Sequence, residues 1–142
     1  MKKSIKLVTC LFLLLSLTIH AQQNSQHIQQ CDAVTLNRNI QLDGSSDTEE
    51  IKIEVASNAK KLHIGINSTI KSGYLTVEVY DPKGNKKGNF SIESQVKSSS
   101  KKKELVCGQM QKHIDEPIKG DWVIKLIPNN VAGDISICTS MM

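Results

Sequence analysis

The chain has 142 residues, of which 39% are hydrophobic and only 4% aromatic, so it fits a single domain whose core is built mostly from Ile, Leu and Val. Eighteen basic and 14 acidic residues give a formal charge of +4, and Arg38 is the only arginine. Because arginine is the side chain that grips a phosphate with two parallel hydrogen bonds, this composition argues against a nucleic-acid partner.

The first 21 residues have the three parts of a secretory signal peptide. Lys2, Lys3 and Lys6 are positive, Leu7 to Leu17 is mostly apolar, and Ala21 offers a small residue for cleavage. The apolar run is shorter than the ~20 residues that span a bilayer as a helix, although a retained anchor is the alternative. We therefore expect export, to the periplasm or the exterior of a bacterium. Loss of the three lysines leaves 15 of the 18 basic residues against 14 acidic ones.

The part after the signal peptide divides into a lead-in and a domain. Residues 22–30 are polar and rich in glutamine, which is typical of a flexible segment, and residues 31–142 form the predicted domain. It contains Cys31, Cys107 and Cys138. Two of the three are expected to pair in an oxidising compartment, and the sequence leaves all three pairings open. We favour Cys31 with Cys138, because terminal strands in sandwiches often lie side by side.

Most of the domain alternates apolar and polar residues, the pattern of a strand with one buried and one exposed face. Clear alternation covers residues 51–55, 62–67, 74–80, 90–93 and 134–137, and weaker alternation covers Val34 to Leu42 and Glu104 to Met110. Asp121 to Pro128 is apolar on both faces, as is typical of a central or covered strand. No segment after the signal peptide has a sustained helical period.

Turn-forming residues separate these segments. Asp81 to Asn85 reads Asp-Pro-Lys-Gly-Asn, in which proline presets φ while glycine and asparagine tolerate left-handed backbone. Similar residues lie at 43–46, 71–73, 119–120 and 128–130. About eight short strands at roughly ten-residue spacing predict an all-β fold, an antiparallel β-sandwich.

Two stretches resemble a known type of secreted domain. Gly73 to Gly84 is an apolar strand that ends in Asp-Pro-Lys-Gly, and Gly120-Asp121-Trp122 begins a strand that is followed by Gly133 to Ile137. This arrangement resembles the jelly-roll sandwiches of pre-peptidase C-terminal, CUB-like and proprotein-convertase P domains. The resemblance covers about residues 50–138 and implies a jelly-roll-like fold. Those families mostly serve as accessory modules beside a catalytic domain, for which this chain has no room.

An acidic segment is the candidate metal site. It clusters four carboxylates within eight positions: Asp43, Asp47, Glu49 and Glu50. Calcium prefers six to eight oxygen ligands from carboxylates, carbonyls and water, so these residues predict a calcium site. The segment does not match an EF-hand loop, and a solvated acidic turn is the alternative interpretation.

One strand carries the candidate binding surface. Its polar face combines two aromatic and two polar side chains: Tyr74, Thr76, Glu78 and Tyr80. Flat aromatic rings can stack on sugars, so this face predicts a glycan or protein contact. Trp122 could also stack, but it shares a register with Ile124 and Leu126 and is expected in the core.

His113 lies beside Asp115 and Glu116 in a segment that we interpret as a polar loop. A histidine near carboxylates could act as a general acid or base. No nucleophile elbow, zinc-protease motif or phosphate-binding glycine loop accompanies it, and we predict neither catalysis nor a cofactor.

Together these features predict an exported, non-enzymatic β-sandwich that binds a protein or a cell-surface glycan of the envelope. A structural envelope component that self-associates through edge strands is one alternative. A small hydrolase that uses His113 is the other.

Overall fold

The computed structural model describes residues 34–44, 46–95 and 104–142. Regular structure in these ranges consists of β-strands: β1 (Val34–Asp43), β2 (Glu49–Val55), β3 (Lys61–Tyr80), β4 (Lys86–Ser94), β5 (Val106–Asp115) and β6 (Gly120–Met141). Within these ranges there is no helical segment that could span a bilayer. The predicted signal peptide, the lead-in and Cys31 lie outside the described residues.

Two long strands organise the sheet. β3 and β6 are antiparallel neighbours along nearly their whole length, from Leu62 opposite Met141 to Tyr80 opposite Val123. The first half of β3 also pairs with β5, and its second half pairs with β4. Likewise β2 pairs with the first half of β6, and β1 with the second half. The result is two four-stranded layers: layer one has the order β1-β6-β3-β5, and layer two has the order β2-β6-β3-β4.

The two layers meet where β3 and β6 bend. The register of the pairing shifts on both sides of Ser72, while Gly73 has φ 80° and Asn130 has φ 49°. A Cβ atom added to Gly73 would lie 2.3 Å from the carbonyl oxygen of Asn130, and one added to Gly133 would lie 2.3 Å from that of Thr69. Glycine is therefore required at both positions by the close approach of the two backbones.

The inward-facing residues of both layers form one hydrophobic core. Trp122 is 1% exposed, and its Nε1 donates a hydrogen bond to the carbonyl oxygen of Ile118 at 2.9 Å. This confirms the predicted core position of the tryptophan and satisfies the indole N–H, as burial requires.

The sandwich is closed differently along its two sides. On one side β4 packs on β5, so that a Cβ atom on Gly108 would lie 2.7 Å from the side chains of Phe90 and Ile92. On the other side Arg38 of β1 and Glu49 of β2 form an ion pair at 2.6 Å that links the two layers. Both of these side chains are substantially exposed, so the pair contributes little to stability.

The strand order is that of a jelly roll. When β3 and β6 are each counted as two segments, the six strands give eight segments in chain order. The first segment pairs with the eighth, the second with the seventh, the third with the sixth and the fourth with the fifth. All these pairs are antiparallel, which is the order of a long hairpin wrapped into two sheets. The predicted all-β antiparallel sandwich is confirmed.

Three segments that the sequence predicts as turns or loops are parts of strands. Residues 71–73 and 128–130 were predicted to be turns between strands, but they are bends within β3 and β6, because both strands keep their pairing through the bend. The loop predicted around His113 is the second half of β5. Apolar and polar residues continue to alternate along β5. Met110 and Ile114 lie on the apolar face, and Lys112 is the polar residue between them on that face.

A buried carboxylate shapes the β3–β4 turn. Oδ1 of Asp81 accepts hydrogen bonds from the backbone N–H groups of Lys83 and Asn85, each at 2.9 Å. Its Oδ2 accepts from Nδ2 of Asn85 at 3.0 Å and lies 3.1 Å from Nζ of Lys87. Burial acts to raise the pKa of Asp81, but the hydrogen bonds from Asn85, Lys87 and Lys83 outweigh it and lower the pKa from 3.8 to about 2.

Asp81 should therefore stabilise the fold in a pH-dependent way. Because its pKa is lower in the folded chain than in the unfolded one, its contribution is complete above about pH 5 and declines as pH falls from about 4 towards 2. The melting temperature of Asp81→Asn should thus lie clearly below that of the parent at pH 7, and the gap should narrow at pH 2.5. Thermal unfolding followed by circular dichroism measures both gaps, and an equal gap at the two pH values would contradict this role.

Candidate functional site

The four residues of the predicted binding surface lie on the outer face of layer two, here called the tyrosine face. They belong to the second half of β3, between β4 and β6, and so occupy a central strand. Tyr74 is 40% exposed. Hydrogen bonds with Ser91 and Thr76 lower the pKa of its hydroxyl. The side chains of Thr76 and Ser91 are joined by a hydrogen bond of 2.9 Å.

On the other half of the tyrosine face, polar and charged side chains contact one another. The hydroxyl of Tyr80 donates to Oε2 of Glu78 at 2.7 Å, and Nζ of Lys86 contacts Oε1 of the same carboxylate. Hydrogen bonds from Lys86 and then Tyr80 lower the pKa of Glu78. Nζ of Lys86 also lies 5.7 Å from the centroid of the Tyr80 ring, within cation–π range. This cluster holds Tyr80 in place, so Tyr74 is the aromatic ring on this face that is open to a ligand.

The outer face of layer one is different in character: it is rich in carboxamides. Every second residue of β1, β3, β5 and β6 points outward there, and six of these side chains carry an amide: Asn37, Asn39, Gln41, Asn67, Gln109 and Gln111. The other outward residues include serines, threonines and the histidines His63 and His113, and the charges of Asp115 and Asp134 are partly balanced by Lys61. This surface is therefore nearly neutral and dense in hydrogen-bonding groups.

A shallow pocket lies across β1, β6 and β3 on this surface, and we call it the carboxamide trough. Its polar side chains are Asn39, Gln41, Asn67, Thr69, Asp134 and Ser136. The strand register arranges them as two parallel rows. Ser136 lies opposite both Asn39 and Asn67, and Asp134 lies opposite both Gln41 and Thr69.

The trough offers hydrogen-bond donors and acceptors from neutral side chains, together with one carboxylate. An amide offers donors and an acceptor, a hydroxyl offers both, and the carboxylate of Asp134 only accepts. These groups stand on adjacent strands of a sheet, so their spacing is set by the backbone rather than by a loop. Such a surface suits a ligand with closely spaced hydroxyl groups.

Part of the trough is visible in the alternation of amide side chains along single strands. Asn37, Asn39 and Gln41 recur at every second position, as do Gln109 and Gln111, so each set must share one face of its strand. Which strands lie together depends on pairings between residues far apart in the chain, and the sequence pattern does not supply them.

The predicted calcium ligands do not form a compact cluster. Glu49 pairs with Arg38 at 2.6 Å, and Glu50 lies 3.5 Å from Nζ of Lys125. As neighbours on β2, the two glutamates point to opposite faces. In the part of the chain that the structure describes, no three His, Cys, Asp or Glu side chains are grouped so that they could hold a metal ion. A second shallow groove is lined in part by Asp43, Asp47 and Glu49. Calcium binding at these residues stays a prediction.

The cysteine prediction stays open. Cys107 is exposed on β5 as a free thiol, 3.6 Å from Oγ1 of Thr69. Cys138 is 7% exposed on β6, opposite Asn37 of β1. Cys31 lies outside the described residues, so its pairing with Cys138 stays a prediction.

His113 does not face a carboxylate across the strands. It lies on β5 opposite His63 of β3, and the two rings stack with their centroids 4.3 Å apart. The prediction of a polar loop here was wrong, and the hydrolase alternative stays a hypothesis.

No protein family and no curated protein matches this sequence. Among solved structures, the chain is similar to the enzymatically active domain of tailspike protein 4 of bacteriophage CBA120, with 10% identity and a TM-score of 0.40. That match covers 79% of this chain and 18% of the tailspike chain.

The chain is also similar to the VP2 subviral particle of infectious bursal disease virus, with 11% identity and a TM-score of 0.33 over 78% of this chain and 34% of that one. The Gt strain structure of the same virus gives 9% identity and a TM-score of 0.32 over 78% and 35% of the two chains. This chain thus spans 18% to 35% of the length of these proteins. These comparisons do not show the resemblance to pre-peptidase C-terminal, CUB-like and P domains, of which the structure confirms only the antiparallel all-β fold.

Proposed function

We propose that this protein is an exported, non-enzymatic binding module that takes a neutral cell-surface glycan in the carboxamide trough. The observation that carries the proposal is the double row of polar side chains across β1, β6 and β3, all of them neutral except Asp134. Each sugar hydroxyl is both a donor and an acceptor, and the amides and hydroxyls of the trough can complement it in either role.

The composition of the trough favours a glycan over a protein partner. Protein interfaces concentrate their binding energy in buried aromatic residues and arginine at an apolar centre. The trough side chains named above include none of these. Among the described residues, the exposed large hydrophobic side chains are Tyr74, Leu105, Ile118 and Met142, and none of them lines the trough.

The charge of the trough predicts which glycans bind. Asp134 is its only ionisable side chain, so an anionic polysaccharide would be repelled at the centre of the site. A neutral sugar with adjacent hydroxyls can instead donate two hydrogen bonds to the carboxylate, and hydrogen bonds to a charged group are stronger than those between neutral groups.

A binding experiment with two sets of variants tests the proposal. The purified protein is titrated with neutral and acidic bacterial envelope polysaccharides by isothermal calorimetry. Asp134→Ala should weaken binding of a neutral glycan about tenfold or more, because it removes a charged acceptor worth about 1.5–3 kcal/mol. Asn39→Ala should weaken it by a smaller factor.

Tyr74→Ala is the matched control, because it removes an exposed hydrogen-bonding side chain from the outer face of the other layer. It should leave the affinity unchanged. Loss of binding in Tyr74→Ala, with Asp134→Ala unaffected, would move the site to the tyrosine face and reject the trough. No binding of any polysaccharide by the parent protein would reject the glycan itself.

A further inference from the structure

Two histidines form a separate site on the outer face of layer one, beyond the end of the trough. His63 of β3 and His113 of β5 lie directly opposite each other in the antiparallel register. Their rings are stacked, with centroids 4.3 Å apart and planes inclined by 7°. His113 is exposed and His63 is half-buried. The pairing of β3 with β5 therefore places two imidazole rings side by side, where dissolved ions can reach them.

A third residue, Gln111, determines which ring nitrogen of His63 carries the hydrogen. Oε1 of Gln111 lies 2.7 Å from Nε2 of His63. A carboxamide oxygen can only accept, so in this arrangement Nε2 carries the hydrogen and donates it. In the neutral ring the lone pair is then on Nδ1. Histidines that bind metals commonly donate their other ring N–H in this way, which fixes both the tautomer and the orientation of the ring.

We infer that His63 and His113 together bind one divalent transition-metal ion, of the class Cu²⁺, Ni²⁺ or Zn²⁺, and that Gln111 is a positioning residue for His63. Imidazole is a preferred ligand of these ions, whereas Ca²⁺ and Mg²⁺ prefer oxygen. The ring torsion χ2 of histidine is broad, so the exposed ring of His113 can turn out of the stack and bring its nitrogen towards the same ion.

The site differs from a structural zinc centre. No group of three or more His, Cys, Asp or Glu side chains suited to a metal occurs within the described ranges, so the two imidazoles leave the remaining coordination positions to water. Such a site exchanges its ion and is not needed for folding. This inference does not rest on the proposed glycan site, because the histidines lie outside the trough lining.

Titration of the purified protein with NiCl₂, followed by calorimetry, tests the inference. His63→Gln and His113→Gln should each weaken Ni²⁺ binding at least about tenfold, and Gln111→Leu should weaken it about tenfold, the lower end of the range for loss of such a supporting hydrogen bond. Addition of CuCl₂ should broaden the imidazole proton resonances of His63 and His113 in the NMR spectrum. CaCl₂ should leave those resonances unchanged.

Two control variants make the test specific. Gln109→Leu makes the same change as Gln111→Leu one pleat away on β5, and His27→Gln removes a histidine that precedes the domain. Both should bind Ni²⁺ like the parent. A bound ion also stabilises the folded chain by mass action, so Ni²⁺ should raise the melting temperature of the parent but not that of the variant that lacks both His63 and His113.

Ni²⁺ binding of unchanged strength in that double variant would overturn the inference, as would the absence of any binding in the parent. Equal affinities of Gln111→Leu and Gln109→Leu would overturn the positioning role of Gln111. Circular dichroism of each variant shows that the fold is retained, which separates loss of the site from loss of structure.

Discussion

Replacement of Gly73 by alanine is expected to destabilise the protein by about 3 kcal/mol or more. Gly73 has φ 80°, a left-handed conformation that costs an L-residue about 1–2 kcal/mol. The new Cβ atom would also lie 2.3 Å from the backbone oxygen of Asn130. Since Asn130 belongs to the paired strand β6, neither backbone can move away without breaking the bend, and forced contacts in packed regions cost about 1–3 kcal/mol more. The midpoint of urea unfolding, at an unchanged slope, measures the loss.

Gly84 provides the matched control for this prediction. Its φ is 79°, but no atom lies within 4 Å of an added Cβ. Gly84→Ala should therefore show the conformational cost alone, about 1 kcal/mol. The difference between the two variants isolates the contact between β3 and β6. Equal losses at both glycines would mean that the layers can separate at the bend, against the close approach described here.

Trp122→Ala is expected to cost about 3–5 kcal/mol, as is usual for removal of a large aromatic side chain from a core. Trp122 is 1% exposed and packs in the single cluster that both layers share. Its removal leaves a cavity that β-sheet layers cannot easily collapse, because their spacing is set by the other side chains. Chemical unfolding followed by circular dichroism is the suitable measurement, since Trp122 is the only tryptophan and fluorescence is lost with it.

Trp122→Phe divides this loss into its parts. Phenylalanine keeps most of the apolar volume but cannot donate the 2.9 Å hydrogen bond to the carbonyl oxygen of Ile118. The expected loss is about 1–3 kcal/mol, from the unsatisfied acceptor and a small cavity. A loss as large as that of Trp122→Ala would show that the hydrogen bond, and not packing, dominates at this position.

The buried faces of individual strands could be predicted from the sequence. Ile51, Ile53 and Val55 were expected to share one face, and all three are buried. Trp122 was assigned to the core from its register with Ile124 and Leu126, and it lies there. These predictions succeed because period-two alternation reports which side of a strand is apolar, and that property is local.

The continuity of the long strands could not be predicted in the same way. Ser72, Gly73 and Asn130 have the composition of turns, and the chain does change direction at each of them. Whether such residues end a strand or bend it depends on whether the partner strand follows them, as β3 and β6 do for each other. That is a property of the pair and not of either sequence segment.

The trough escaped prediction for a related reason. Asn39 and Asn67 lie opposite Ser136 only because β1 and β3 both pair with the second half of β6. The tyrosine face was visible in the sequence because all four of its residues belong to one strand. A site assembled from one strand can be read from alternation, whereas a site assembled across three strands needs their register.

The nested pairing of the strands also governs when the chain can fold. Of the five strand pairings among the described residues, three involve β6, and Val34 at the start of β1 finds its partner only at Ser140. Layer one is complete only when the second half of β6 has been synthesised, and contacts between such distant residues form slowly. We therefore expect the domain to fold only after most of it has been synthesised, and to refold more slowly than an all-helical domain of the same size.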